Sequence, residues 1–362
     1  MQHLLNLSNN DLLAWLKERK HPTFRASQIW QWIFQKRVAS FQEMENLPKQ
    51  LRQDLTESFT IWSTTIAKKT VATDQTQKLL LTHHDGGQTE SVLLFEKNRR
   101  TICVSSQVGC AMGCLFCASG LDGVDRNLTQ GEILEQMLLL QRLLPDDERL
   151  SHIVMMGMGE PLANLSHVLG ALTVANDPDR LGIGTRRITI STVGIPASIV
   201  KMADYPLAFQ LAVSLHAPNE ALRDRLVPVN KNIGLSKILA AVDQYYEKTR
   251  RQITFEYVLL SDINDHTSHA KELVSILRPR NAMLNVIPYN PVAGLPYQSP
   301  SKQRLAHFKG ILTEAGITLK VRHRKGDEIN AACGQLRRNN AQTQKKELYS
   351  IEGEKSPERK SP

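Results

Sequence analysis

The hydrophobic pattern divides the chain into a helical beginning and a long alternating remainder. The first 60 residues read as helical. FRASQIWQWIFQKR (24–37) brings Ile29, Trp30, Trp32, Ile33 and Phe34 together, with Arg25, Lys36 and Arg37 around them. That suits a small helical domain burying its tryptophans, and its basic flank also suits a module that touches nucleic acid. Next, QKLLLTH and TESVLLFE are strand-like runs joined around His84-Asp85-Gly86-Gly87, which predicts a hairpin over 77–96. Thr129 and Glu132 form a T-x-x-E capping box ahead of the apolar run from Ile133 to Leu144. Short apolar runs then recur at 152–157, 187–192, 208–216, 253–260, 283–289 and 317–324. Helix-like segments lie between them at Leu235–Lys248, His266–Arg278 and Ser301–Ala315. Strands alternating with helices imply βαβ units and a parallel sheet, an α/β fold with a full or partial barrel.

Polar motifs cluster at the ends of these runs. Gly157-Met158-Gly159-Glu160 follows one, Ser191-Thr192-Val193-Gly194 ends another, Ser214-Leu215-His216 ends the next, and Pro288-Tyr289-Asn290 ends a later one. Parallel α/β folds bind ligands at the carboxyl ends of their strands, so these motifs predict one composite site.

Composition adds bounds. With 362 residues, 41% of them hydrophobic, the chain can bury a sizeable core. No run of about 18 apolar residues predicts a membrane span. The N-terminal stretch is charged and amphipathic, unlike a secretory signal, so a cytoplasmic protein is expected. Forty-five Lys and Arg against 36 Asp and Glu leave a net charge of +9, which fits a polyanionic partner without requiring one.

Three of the five cysteines fall within VGCAMGCLFCASG (108–120), at Cys110, Cys114 and Cys117. Structural zinc wants four ligands, and no nearby His or Cys supplies an obvious fourth. Buried apolar cysteines are a second reading, although two glycines and the lack of a regular period argue against a core element. An iron–sulfur cube is the third: three thiolates leave one of four irons open for an external ligand. C-x3-C-x2-C is the spacing of the radical-SAM superfamily, in which S-adenosylmethionine (SAM) chelates that iron. GMGEP after the next strand resembles the superfamily's SAM-contacting motif. Cys103 and Cys333 would by themselves pass as buried residues.

CVSSQVGCAMGCLFC, RNLT, GMGEP, RRITISTVG, SLHAPN, LRDRLVPVN, FEYVLL, NVIPYNP and GDEINAACGQL, taken in order, resemble the RlmN/Cfr family of radical-SAM RNA methyltransferases. The resemblance runs from about residue 24 to 336 and includes FRASQIWQWIF. It implies a radical-SAM partial (β/α)6-type barrel (101–336), preceded by an N-terminal helical RNA-contacting module (1–60) and a β-hairpin extension (61–100); beyond it, the polar, charged composition of 337–362 predicts a flexible tail. It implies that Cys110, Cys114 and Cys117 hold a 4Fe–4S cluster. It assigns SAM contacts to Gly159, Glu160, Ser191, Ser214, Leu215, His216 and Asn290.

The family mechanism uses two SAM per turnover. One methylates Cys333; the other yields an adenosyl radical that takes hydrogen from that methyl. The resulting methylene radical adds to an adenine ring carbon. Cys103 then attacks sulfur, forming a Cys103–Cys333 disulfide and releasing the methylated base, and a reductant resets the pair. Glu90 matches the presumed general base. The implied substrates are an adenosine of the peptidyl-transferase centre in large-subunit rRNA and an adenosine beside the tRNA anticodon, methylated at carbon 2. Cfr-like methylation at carbon 8, or action on another substrate, is the alternative. Arg186, Arg187, Arg322, His323, Arg324 and Lys325 are candidate phosphate contacts, and the expected assembly is a monomer.

Overall fold

The structure is a computed structural model that describes residues 1–322 and 325–337. Its centre is one ten-stranded sheet: β1 (Thr65–Val71), β2 (Gln77–Thr82), β3 (Gln88–Glu96), β4 (Arg99–Cys103), β5 (His152–Met155), β6 (Ile188–Thr192), β7 (Gln210–Ser214), β8 (Ile253–Leu259), β9 (Ala282–Pro288) and β10 (Leu319–Val321). The strands stand in the sheet in chain order from one edge to the other. β1 to β4 pair antiparallel, whereas β4 to β10 pair parallel. The sequence pattern anticipated a hairpin followed by a parallel sheet; the hairpin is continuous with that sheet through β4.

Laid flat, the seven steps from β3 to β10 would span about 34 Å. Val92 and Leu94 on β3 nevertheless line the same cavity as Val321 on β10, so the sheet curls round. The segment Gly326–Arg337 bridges the gap. Gly326 N donates to Asp74 Oδ2, Lys78 Nζ to the Asn330 carbonyl and Arg337 N to Glu90 Oε2. Lys325 Nζ also donates to the Phe95 carbonyl. The result is a partial barrel held shut by a clasp.

Helices cover the outside. α1 (Asn9–Glu18), α2 (Arg25–Phe34) and α3 (Lys49–Ser58) make up the N-terminal part. α4 (Gln130–Gln141), α5 (Leu165–Asn176), α6 (Pro196–Ala203), α7 (Glu220–Leu226), α8 (Leu235–Thr249), α9 (Thr267–Leu277) and α10 (Lys302–Glu314) follow. The predicted capping box starts α4: Thr129 Oγ1 accepts from Glu132 N, and Thr129 N donates to Glu132 Oε2. Ser8 and Asp11 make the same reciprocal cap on α1.

One hydrophobic cluster runs from Leu4 through Trp30 and Leu134 to Phe308, so the N-terminal helices share the main core. Trp30 is buried, with its Nε1 donating to Asn9 Oδ1. The fully buried Glu135 on α4 accepts from the N–H groups and hydroxyls of Ser63 and Thr64, and meets His3 Nε2 at 3.2 Å. Arg37 donates to the carbonyls of Leu144, Pro145 and Glu148. That guanidinium therefore serves the contact between the two parts. Among the described residues no helix is long and apolar enough to cross a membrane.

Candidate active site

The polar strand ends meet as the sequence pattern anticipated. A cavity of about 140 Å³ is lined by Cys110, Cys114 and Cys117 together with Gly159, Glu160, Ser191, Ser214, His216, Asn290 and Cys333. Only Leu215, among the residues expected to contact SAM, is not part of this lining. It is fully buried, and its carbonyl accepts from Arg223 Nε.

The GMGE turn is shaped by its glycines. Gly159 has φ +101°, and a Cβ there would lie 2.7 Å from Gln107 Cβ and from Ser106 Oγ. Gly157 N donates to the Val104 carbonyl, and Ser106 N to the Met158 carbonyl. The turn thus lies flat on the segment leading to the cysteine loop. Glu160 is buried, with Oε1 accepting from Leu162 N and Oε2 from Val193 N. Its carboxylate joins the loops after β5 and β6, while its burial pushes the pKa up.

His216 adopts φ +57° and stacks edge-on against Phe116, with ring centroids 4.8 Å apart. Its Nδ1 accepts from Val258 N at 3.1 Å. That bond puts the ring proton on Nε2. Burial, aided by the nearby Arg223, pushes His216 down to about 3, so the ring stays neutral at working pH. With Nε2 protonated it is a donor and a poor fourth metal ligand. Asn290 Nδ2 donates to the Cys333 carbonyl, leaving its buried Oδ1 without a partner, an acceptor turned toward a missing donor.

Among the described residues, no group of three or more His, Cys, Asp or Glu side chains is arranged to hold one metal ion. The three thiols still line one cavity, as the wider spread of a cube's ligands needs. Burial pushes Cys110 up to about 12 and also raises Cys114 and Cys117. Thiolates at this depth need a strong local positive charge, which bound iron provides.

A second, larger cavity of about 430 Å³ occupies the barrel interior below the first. Cys103, at the end of β4, lines it; Cys333 lines both. Burial and the neighbouring Cys333 push Cys103 up to about 12, against a lowering by Arg322. All five cysteines are free thiols. Arg322 lines both cavities, so it faces the barrel interior. Of the other candidate phosphate contacts, Arg186, Arg187 and Lys325 line the second cavity, while His323 and Arg324 lie outside the described residues, as does the tail from 338 onward.

Glu90 is buried beside the clasp, at 2.8 Å from Lys78 Nζ, and lines neither cavity. Burial pushes its pKa up, although Lys78 and the Arg337 N–H oppose the rise. One central residue went unrecognised in the sequence. Arg223 has no exposed surface and donates to the carbonyls of Val193, Ser214 and Leu215 and to Asn230 Oδ1. It fixes the loops after β6 and β7 from behind, and its burial lowers it to about 10. Nothing in LRDRLVPVN distinguishes it from a surface arginine.

A curled parallel sheet with three thiols and a GMGE turn at its carboxyl rim defines a radical-SAM protein. Comparison with known proteins agrees: residues 104–274 match the Radical SAM superfamily, and residues 2–61 match the family described as the ribosomal RNA large subunit methyltransferase N-terminal domain. The chain is 60% identical to the "Probable dual-specificity RNA methyltransferase RlmN" of Rhodopirellula baltica, over 93% of this chain and 91% of that protein. It is 45% identical to the protein of the same name from Thermotoga neapolitana, over 93% and 98%. A crystal structure of a radical SAM methyltransferase from Sphaerobacter thermophilus superposes with a TM-score of 0.91 at 40% identity, covering 93% of this chain and 99% of that one. The chain belongs to the RlmN family.

Proposed function

We propose that this protein methylates carbon 2 of adenosine in large-subunit rRNA and in tRNA, through an S-methylcysteine on Cys333. The relatives named as dual-specificity RNA methyltransferases support the substrate class. The observation that carries the cysteine chemistry is the position of Cys333, the one thiol that borders both cavities.

Cys110, Cys114 and Cys117 would hold a 4Fe–4S cluster. Gly159, Ser191, Ser214, His216 and Asn290 would hold SAM, with the His216 Nε2–H donating and Asn290 Oδ1 accepting. When bound, the cluster supplies the electron that cleaves SAM reductively. Cys333 loses its proton and takes the methyl carbon on sulfur, facing the first cavity. It then presents that carbon to an adenine in the second cavity, where SAM cleavage at the bound cluster would let the methyl lose one hydrogen atom and bond to ring carbon 2, the adduct giving back one electron. Once the ring proton is gone, Cys103 gives up its proton and attacks the Cys333 sulfur; the sulfur–carbon bond breaks with its electron pair on the carbon, which takes a proton to become the methyl group, and the two sulfurs end as a disulfide. A reductant returns them to the free thiols seen here. Glu90 takes the proton from the substituted ring carbon. It is held beside the clasp by Lys78 and Arg337 N, so this role requires the clasp to shift as the base enters. Raised by burial, its carboxylate is a better base than an exposed one.

The test compares two variants on an rRNA fragment with the reconstituted protein. Cys333→Ala is expected to abolish methylation. Cys103→Ala is expected to accumulate a covalent protein–RNA adduct, seen as a slow band on denaturing gels. Methylation by Cys333→Ala would overturn the cysteine route. Mass spectrometry of the product nucleoside separates 2-methyladenosine from 8-methyladenosine, and finding the latter would overturn the regiochemistry.

A further inference from the structure

The interior of a closed eight-stranded barrel is normally packed with side chains. Here the lower half of the barrel is an open cavity of about 430 Å³. Its wall is zoned along the strands. Nearest the cysteines it is apolar, with Val92, Val154, Met156 and Ile287. In the middle, Glu256 and its register partner Asn285 are hydrogen-bonded at 2.7 Å. At the amino ends of β4, β6 and β10 it is basic, with Arg99, Arg187 and Lys320. These three cations are exposed to solvent yet line the cavity, so the cavity opens there. Among the described residues, none of the three has a carboxylate within ion-pair distance.

The opposite end is latched. Ala118 N, in the cysteine loop, donates to the Gly334 carbonyl at 2.7 Å. Ser119 Oγ donates to the Leu336 carbonyl, and Gln335 Nε2 to that of Pro291. The clasp and the cysteine loop together roof the carboxyl rim.

We propose that the target nucleotide enters the barrel from below, between the amino ends of the strands. Arg99, Arg187 and Lys320 grip the phosphates flanking it. This inference rests on the RNA-methyltransferase reading and adds the route and the grip. From Arg99 to Cys103 the strand rises about 13 Å, a recess that admits one nucleotide swung out of its stack. The apolar zone then receives the base beside Cys103 and Cys333, while the unpaired cations stay with the backbone. Arg99, Arg186, Arg187 and Lys320 outnumber Glu96, the carboxylate that also lines this mouth, and such an excess of positive charge suits phosphate, whose neutralisation dominates nucleic-acid affinity.

The experiment uses the full chain and a 17-nucleotide RNA stem-loop with an adenosine in its loop. Binding is followed by fluorescence anisotropy across a salt series for the wild type, Arg99→Glu, Arg187→Glu and Lys320→Glu. Lys237→Glu, on the outer face of α8, serves as the charge control, and circular dichroism checks folding. Each mouth variant is expected to bind about tenfold more weakly or worse. Each is also expected to flatten the salt slope by about 0.7 per lost phosphate contact. The control variant is expected to keep the wild-type slope. If the wild type binds and methylates RNA but the mouth variants match it in affinity and slope, the route is wrong and the function stands. If the wild type binds no RNA, both fall. Plugging the cavity with Thr189→Trp gives a second readout: RNA methylation is expected to fall at least tenfold while SAM binding by calorimetry is retained, and unimpaired methylation would overturn the route.

Discussion

At the scale of single residues, the site depends on groups that never touch a reactant. Arg223 satisfies four acceptors from one buried guanidinium. Arg223→Met keeps the volume and removes every donor. Each orphaned buried acceptor costs about 1–3 kcal/mol, so a loss of about 3 kcal/mol or more is expected in urea unfolding. Arg223→Lys should recover little, because an ammonium cannot reach four acceptors spread around a planar fork. A midpoint unchanged in Arg223→Met would show that water replaces the side chain. The sequence could not mark Arg223, since three of its four partners are backbone carbonyls on loops about 10 and 30 residues away. The grouping of Cys110, Cys114 and Cys117 around one cavity was legible for the opposite reason: their spacing is local in the chain.

At the scale of elements, turns and caps written in adjacent residues were readable, and edges were not. The capping box on α4 and the turn before β3 appear where the sequence pattern puts them. β1 escaped notice because almost all of it is exposed and it has no alternating buried face. Its lysines, Lys68 and Lys69, suit an edge strand that must not recruit another chain. The β2–β3 turn is tied to the start of α4 by Arg126, which binds both Asp85 and Glu132. The Arg126 hydrogen bonds hold Asp85 well below the usual carboxylate range. Burial pushes Glu132 up, but Arg126 and the Thr129 N–H outweigh it and leave it lowered. Carboxyls lowered in the folded state add stability above their unfolded pKa, near 4, and lose it as pH falls through the folded value. Arg126→Gln is therefore expected to be less stable at pH 7 and to lose less stability between pH 5 and about pH 2. Urea midpoints at several pH values measure both slopes, and parallel slopes would remove Arg126 from the account.

At the scale of the whole molecule, the N-terminal helices and the barrel share a core, with Glu135 and Arg37 pinning the boundary. The expected result is a single cooperative urea transition by fluorescence and circular dichroism. Two resolved transitions would mean that the helices unfold separately. The sequence pattern predicted both parts but not their union, because a buried carboxylate on α4 looks like any polar helix position. The order of strands has a further meaning for how the protein comes into being. Each strand lies beside the one made just before it, so the sheet can grow by accretion at one edge as the chain leaves the ribosome. Nothing already laid down need reopen to admit a later strand. The clasp, Gly326–Arg337, is the last described segment to be made, and it carries Cys333. A nascent chain stopped short of it can build a barrel and a cysteine loop, yet lacks both the roof and the Cys333 thiol that borders both cavities. Synthesis thus lays down the open site first and the segment that closes over it last.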